Sequence, residues 1–323
     1  LHLRNRLDEE EKGYPLNSAI ETRNLTKQYP HVRAVDDVSL CVASGEIYAF
    51  LGLNGAGKTT TIRMLLGMIN KTGGDVRVLG QPVPGCDRQL WGSIGYLVET
   101  PHAYPELSVR ENLDVIRRLR PGVPPGAVAE VIEKIGLHEY ADRPTGTLSL
   151  GNAQRLGLAK ALMHQPKLLI LDEPANGLDP AGIVEVRELL RTLAREEGAS
   201  VFMSSHILGE VSRIADRIGI IHEGRLLQEL DVDELEKNRK RRLLVRTRDI
   251  PAALSHLRSQ GYHAELNDDG ELEVTDDRAL DRPDDVASSL VTAGFPPLRL
   301  QTDLEDLEHY FLRLVGVHTQ EAV

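Results

Sequence analysis

The chain has 323 residues, 41% hydrophobic and 27% charged, an ordinary composition for a folded protein long enough to bury a core without staples. Its formal net charge of -11 argues against a nucleic-acid binder, whose usual footprint is a basic face. Two cysteines, Cys41 and Cys86, lie far apart and form no C-x-x-C, which argues against a zinc site or a disulfide framework and for a reducing cytosol.

Residues 1–16 read as a polar lead-in without the apolar centre of a signal peptide. Strand-like runs follow at Ile20–Leu25 and Val38–Val42, then a short buried strand, Ile47–Leu51, that ends in a glycine-rich loop. A helix is expected from about Thr59 to Met68. The stretch Val109–Arg143 reads as helical, cut by Pro121, Pro124 and Pro125. Beyond it strand and helix alternate: strand Leu168–Asp172, helix Ala181–Glu197, strand Ser200–Ser204, helix Ile207–Ala215, strand Arg217–His222. That alternation predicts an α/β fold, a mostly parallel sheet with helices on both faces. The apolar runs are short, and none approaches the roughly 18 residues of a membrane span. The expectation is a chain that neither crosses a membrane nor is secreted.

Near residue 236 the composition shifts to a basic run, Lys237, Arg239, Lys240, Arg241 and Arg242. It reads as a solvated linker, with contact to an acidic partner or lipid headgroups as the sharper alternative. The order after it is strand (Leu243–Thr247), helix (Ile250–Gln260), two strands, helix, strand, helix. Asp268-Asp269-Gly270 supplies a hairpin turn between the two strands. This tail predicts a small α+β domain of ferredoxin-like kind.

Two motifs carry chemistry. Gly52-Leu53-Asn54-Gly55-Ala56-Gly57-Lys58-Thr59 fits the phosphate-loop pattern G-x-x-x-x-G-K-S/T, and Thr60 extends it. Glycines let successive backbone N–H groups curl toward one anion, and the following helix adds its positive end. Lys58 supplies a cation for the β- and γ-phosphates of ATP, and the Thr59 hydroxyl suits Mg²⁺, a hard ion that prefers oxygen. The second motif is the apolar strand Leu168–Leu171 running into Asp172-Glu173-Pro174. There Asp172 is placed to hold Mg²⁺ and Glu173 to polarise the attacking water.

Leu148-Ser149-Leu150-Gly151-Asn152-Ala153-Gln154-Arg155 then narrows the choice. It resembles the L-S-G-G-Q signature of ATP-binding cassette (ABC) transporter proteins, at the expected place ahead of Asp172. The resemblance covers residues 18 to 228 and implies a nucleotide-binding domain at 17–230 with an antiparallel β subdomain and a helical subdomain at about 100–165. It further implies a linker at 231–242 and an accessory α+β domain at 243–323. In this family Ser149, Leu150, Gly151 and Asn152 would reach the ATP bound by a second copy, so that two copies sandwich two nucleotides. Asn176-Gly177-Leu178-Asp179-Pro180 looks like the D-loop, with Asp179 its acid. Ser204-Ser205-His206 looks like the switch, with His206 at the γ-phosphate. Tyr29 resembles the aromatic that stacks on adenine.

The sequence departs from the family pattern at two places. Leu150 and Asn152 stand where glycine and glutamine are usual, and Glu99 occupies the glutamine position of the Q-loop. Both departures, and the string Pro101-His102-Ala103-Tyr104-Pro105-Glu106-Leu107-Ser108-Val109-Arg110-Glu111-Asn112-Leu113, look like the bacitracin- and lantibiotic-exporter branch, and the appended tail domain resembles drug-export ATPases of the daunorubicin and bacitracin kind. Glu99 as a carboxylate could ligate Mg²⁺ in the glutamine's place. A solvated loop carboxylate is the plainer reading. The tail helix, with Leu304, Leu307, Phe311 and Leu314 at helical spacing, reads as core packing, with contact to a second copy's tail as the alternative. Taken together, the resemblance implies the ATPase subunit of a membrane exporter. It would work with a second copy and a separate integral-membrane permease, at the cytoplasmic face of the membrane, without nucleic acid. The alternatives are a soluble cassette ATPase acting on ribosomes or DNA, against which a single P-loop and an acidic chain count, and a degenerate ATP-binding regulator.

Overall fold

The computed structural model describes residues 17–99, 102–267, 269–305 and 307–316. The lead-in at 1–16, Pro101, Asp268 of the hairpin and Asp306 of the tail lie outside the described residues. The chain divides into two compact units, one reaching to Val232 and one beginning at Asp233.

In the first unit, β1 (Ser18–Gln28), β2 (Arg33–Ala43), β4 (Gly73–Val78) and β5 (Gln81–Pro82) form an antiparallel sheet ordered β2-β1-β4-β5. The second sheet has six strands. Its parallel strands β3 (Ile47–Leu51), β6 (Ile94–Leu97), β7 (Leu168–Leu171), β8 (Ser200–Ser205) and β9 (Arg217–His222) are joined by β10 (Arg225–Asp231), which pairs antiparallel, in the order β10-β9-β3-β8-β7-β6. Every residue of β3, β7 and β8 is buried, as a parallel strand covered on both faces requires. Phe202 on β8 anchors this core. Its ring stacks on Tyr48 at 5.6 Å between centroids and tilts against Phe50 at 5.5 Å.

The helices are α1 (Lys58–Leu65), α2 (Val109–Leu119), α3 (Ala127–Lys134), α4 (Leu150–Leu162), α5 (Pro180–Arg195) and the single turn α6 (Leu208–Val211). A capping box starts α2: the Ser108 hydroxyl accepts from the Glu111 N–H while Glu111 accepts from the Ser108 N–H. The prolines at 121, 124 and 125 separate α2 from α3. The expected helix Ile207–Ala215 shrinks to α6, because the chain must leave it to reach β3. Asp216 N–H donates to the Ile47 carbonyl at 2.8 Å, and its carboxylate accepts from the Ile47 N–H at 2.9 Å.

His164, just beyond α4, accounts for one pH effect. Its Nε2 lies 3.1 Å from the Ile94 carbonyl, and burial near Arg120 pushes its pKa down to about 4. Between its unfolded value, near 6.5, and about 4, the unfolded chain binds this proton and the folded chain does not. Stability from this group therefore falls as pH drops from 6.5 toward 4, by roughly 1 kcal/mol once its partial exposure is discounted. Thermal melts at pH 7 and pH 5 should show a smaller acid-induced drop in His164→Gln than in the parent chain. Equal drops would remove His164 as the cause.

The boundary falls at the first residue of α7 (Val232–Asn238), and the second unit continues with β11 (Arg241–Arg246), α8 (Ile250–Ser259), β12 (Ala264–Leu266), β13 (Leu272–Val274), α9 (Asp277–Asp281), α10 (Pro283–Thr292), β14 (Arg299–Leu304) and α11 (Leu307–Leu314). Its sheet is antiparallel and ordered β12-β13-β11-β14, the ferredoxin-like arrangement with the second helix broken at Pro283. Leu243, Val245, Leu257, Leu272 and Val286 are among its core residues.

The stretch expected as a linker carries structure. Residues 232–238 are helical, and Arg241 and Arg242 open β11. Two cations of the basic run are held in close pairs there: Arg239 pairs with Glu236 at 2.6 Å and donates to the Glu305 carbonyl, and Arg242 pairs with Glu273 at 3.0 Å. Leu304, expected in the tail helix, closes β14 instead.

Candidate functional site

The phosphate loop connects β3 to α1 and is braced on two sides. Gly52 N–H donates to the Ser205 carbonyl at the end of β8, and the Ala56 carbonyl accepts from Gly224 N–H at 2.9 Å. Gly57 caps α1 with φ 109°, and the first turn of α1 carries no acidic residue to compete for an anion. Asn54 and Gly55 at the loop's apex are exposed, whereas Ala56 and Lys58 are buried.

Lys58 is 6% exposed and bends back along its own loop. Its Nζ donates to the Gly52 carbonyl at 2.6 Å and lies 3.2 Å from Glu173 Oε1. Thr59 donates its hydroxyl to Asp172 Oδ2 at 2.7 Å. The sheet order explains the meeting: β3 and β7 flank β8, so the loop after β3 and the acids after β7 emerge at the same sheet end.

Asp172 is fixed from both sides. Its N–H donates to the Leu97 carbonyl at 2.7 Å, and its Oδ1 accepts from the Ser204 hydroxyl at 2.6 Å. Ser204 also accepts from the Glu173 N–H at 2.9 Å, and Gln154 donates to the Glu173 carbonyl at 3.1 Å. Glu173 itself has φ 50°, a left-handed conformation uncommon outside glycine, which turns its side chain out of the strand line. Its Oε2 lies 2.8 Å from His206 Nδ1. Lys58, Thr59, Asp172, Glu173 and His206 thus form one connected cluster.

The signature residues lie at the start of α4. Ser149 is the N-cap, accepting from the Asn152 N–H at 3.3 Å, and Leu150 is 60% exposed. A Cβ on Gly177 would stand 2.6 Å from Leu150 Cδ2, so the leucine that replaces the usual glycine packs directly over the D-loop. Gly151 approaches the same loop from the neighbouring turn. Asp179 caps α5 through the Gly182 N–H at 3.1 Å. Tyr29 sits 38% exposed in the turn after β1, with Lys27 Nζ 5.0 Å from its ring centroid. Glu99, at φ 60° just beyond β6, pairs with Arg63 of α1. Ser204 and Gln154 are organising residues that the sequence reading did not single out as site residues, although both fall inside motifs it quoted.

Residues 35–176 match the sequence family described as ABC transporter. The chain is 40% identical over 305 residues to the bacitracin transport ATP-binding protein BcrA of Bacillus licheniformis, covering 93% of this chain and 98% of that one. It belongs to the ABC transporter family. The lantibiotic transport ATP-binding protein SrtF of Streptococcus pyogenes is 39% identical over 67% of this chain and 93% of its own length. Among solved structures, an ATP-binding subunit of an ABC transporter superposes with a TM-score of 0.61 at 28% identity, covering 68% of this chain and 92% of that one. The cassette binds ATP and is an ATP hydrolase.

Among the described residues, no group of three or more His, Cys, Asp or Glu side chains is placed to hold a metal unaided. The Thr59 hydroxyl and the Asp172 carboxylate, 2.7 Å apart, are hard oxygen donors of the kind Mg²⁺ takes, and such an ion usually completes its shell with phosphate oxygens and water. The donor set therefore fits a Mg²⁺ delivered with a nucleotide.

Proposed function

We propose that this cassette is the ATPase subunit of an exporter, using Mg·ATP to drive a separate membrane permease that moves an antibiotic, peptide or lipid-like compound outward. The observation that carries the reading is the near full-length likeness to a bacitracin transport ATP-binding protein, accessory unit included. Among the described residues no helix is long and apolar enough to cross a membrane, and the reading assigns the path for the cargo to a separate permease. The first unit is the nucleotide-binding domain, the second an accessory domain, and the assembly works at the cytoplasmic face of the membrane.

Within the site, Lys58 and the α1 N-terminus hold the triphosphate, and Tyr29 takes the adenine. Thr59 and Asp172 hold Mg²⁺, which supplies charge neutralisation at the phosphates. Glu173 accepts the proton of the attacking water, with His206 fixing its carboxylate from the far side. Ser149 to Asn152 of a second copy cover the nucleotide, so that two copies close on two ATP.

Purification of the tagged chain from its native membranes in mild detergent should recover a multi-span protein at about equal stoichiometry, together with ATP-stimulated uptake of a cyclic peptide antibiotic into inverted vesicles. Recovery of ribosomes or DNA without such a partner would overturn the reading.

Glu99 is the proposed third metal-side group. Glu99→Ala is expected to raise the Mg²⁺ concentration for half-maximal ATP hydrolysis by roughly tenfold, the size of effect seen for groups that orient a metal's ligands. Glu99→Gln should restore most of the loss. An unchanged Mg²⁺ dependence in both variants would leave Glu99 as the surface partner of Arg63.

A further inference from the structure

The accessory unit has one long strand edge without a strand beside it. β14 pairs with β11 on one side, and among the described residues no strand lies on its other side. The opposite edge of this sheet, β12, is only three residues long, whereas β14 runs for six. An unpaired edge of that length is a template for another strand, and folded proteins usually shorten, cover or charge it. Gln301 and Thr302, at the middle of β14, are both exposed.

We infer that this edge pairs with β14 of a second copy, antiparallel and about a two-fold axis through Gln301, to make one eight-stranded sheet. A two-fold axis perpendicular to a sheet keeps each face continuous, so directly opposed residues must come from the same face. Arg299, Gln301 and Asp303 share one face and Leu300 and Thr302 the other. With Gln301 facing Gln301 of the second copy, Arg299 falls opposite Asp303 and Asp303 opposite Arg299, two opposite-charge pairs from one self-complementary strand. Leu300 then faces Thr302. Moving the axis to Leu300 would face Arg299 with Gln301. Moving it to Thr302 would face Arg299 with Glu305, a residue already held by Arg313 at 2.7 Å.

The two charged groups keep capacity for this contact. Arg299 is 49% exposed, touching Gln301 at 2.8 Å and Glu271 only at 3.5 Å, and Asp303 is 43% exposed with Arg242 at 3.8 Å. A single strand pair is a small interface, so it is weak between free chains. It becomes effective when two copies are already held on one permease and the second contact is intramolecular. The pairing needs no nucleotide. It would keep two cassettes tethered through the open part of the cycle, and its failure would leave the ATP-dependent closure proposed above untouched.

The test uses the full chain without nucleotide. Gln301→Cys should form a disulfide-linked dimer under mild oxidant, where the parent chain with Cys41 and Cys86 does not. In sedimentation experiments, Asp303→Arg should weaken self-association by about tenfold, since two attractive pairs become repulsive ones. The exchange R299D/D303R should restore it, with thermal melts checking that each variant is folded. Failure of Gln301→Cys to cross-link either free or permease-bound chains would overturn the proposal. So would self-association that Asp303→Arg leaves unchanged, or a β14 edge captured by the permease itself.

Discussion

Glu173→Gln is expected to retain Mg·ATP binding and to lower steady-state hydrolysis by about 10²–10⁴-fold, equivalent to roughly 3–5 kcal/mol of barrier. The carboxylate is within reach of both Lys58, with Nζ at 3.2 Å, and His206, with Nδ1 at 2.8 Å. Its backbone is held independently by Ser204 and Gln154, so an isosteric amide should leave the loop in place. The amide keeps an oxygen toward Lys58 but cannot take a proton from water. Phosphate release at saturating ATP and equilibrium nucleotide binding, measured on the same preparation, separate the two effects. Unchanged turnover would remove Glu173 as the base. An equal loss of binding and turnover would make its role that of a scaffold for Lys58.

Much of the site was legible because it is local in sequence. A phosphate loop is one strand, one turn and one helix, so Gly52–Thr59 announced its shape without help from the rest of the chain. Asp172 and Glu173 followed from a buried strand ending in acids. The contacts that organise these residues are long-range and were not visible. Nothing local to Ser204 says that its hydroxyl bridges Asp172 and Glu173 from the neighbouring strand, and Gln154 reaches Glu173 across 19 positions. The departures from the signature became intelligible only with neighbours in place: Leu150 fits because Gly177 leaves room for it.

The same distinction separates correct from incorrect element boundaries. The central strands were predicted well because β3, β7 and β8 are buried on both faces, so burial alone selects their residues. The segment after His206 misled, since its apolar spacing suits a helix while Asp216 must turn away to grip Ile47. The basic run at 237–242 misled for an electrostatic reason. Glu236, the partner of Arg239, is local, but Glu273 and Asp303, the acids beside Arg242, come from strands about 30 and 60 positions later, so the sequence shows that cation without its neutralising partners.

Gly57→Ala should cost far more nucleotide affinity than Gly55→Ala, although both glycines lie in the same loop with positive φ, 109° and 83°. For Gly55 a Cβ meets no atom within 4 Å, so the substitution carries only the left-handed penalty of about 1–2 kcal/mol. If all of that falls on the binding-competent loop, affinity drops by roughly 5–30-fold. For Gly57 a Cβ would stand 2.5 Å from the Ala34 carbonyl oxygen, a backbone atom of β2. That carbonyl cannot move freely, because Gly224 lies 3.5 Å from the same Cβ position and is itself tied to Asp36 and Ala56 by hydrogen bonds of 2.8 and 2.9 Å. The strain must therefore be relieved by shifting the start of α1, which carries Lys58 and the N–H groups proposed to bind the phosphates. Affinity should fall at least tenfold further than in Gly55→Ala, with similar melting temperatures for the two variants if the shift stays within the loop. Equal losses of nucleotide affinity would show that backbone conformation alone, and not the approach of Ala34, requires glycine at this position.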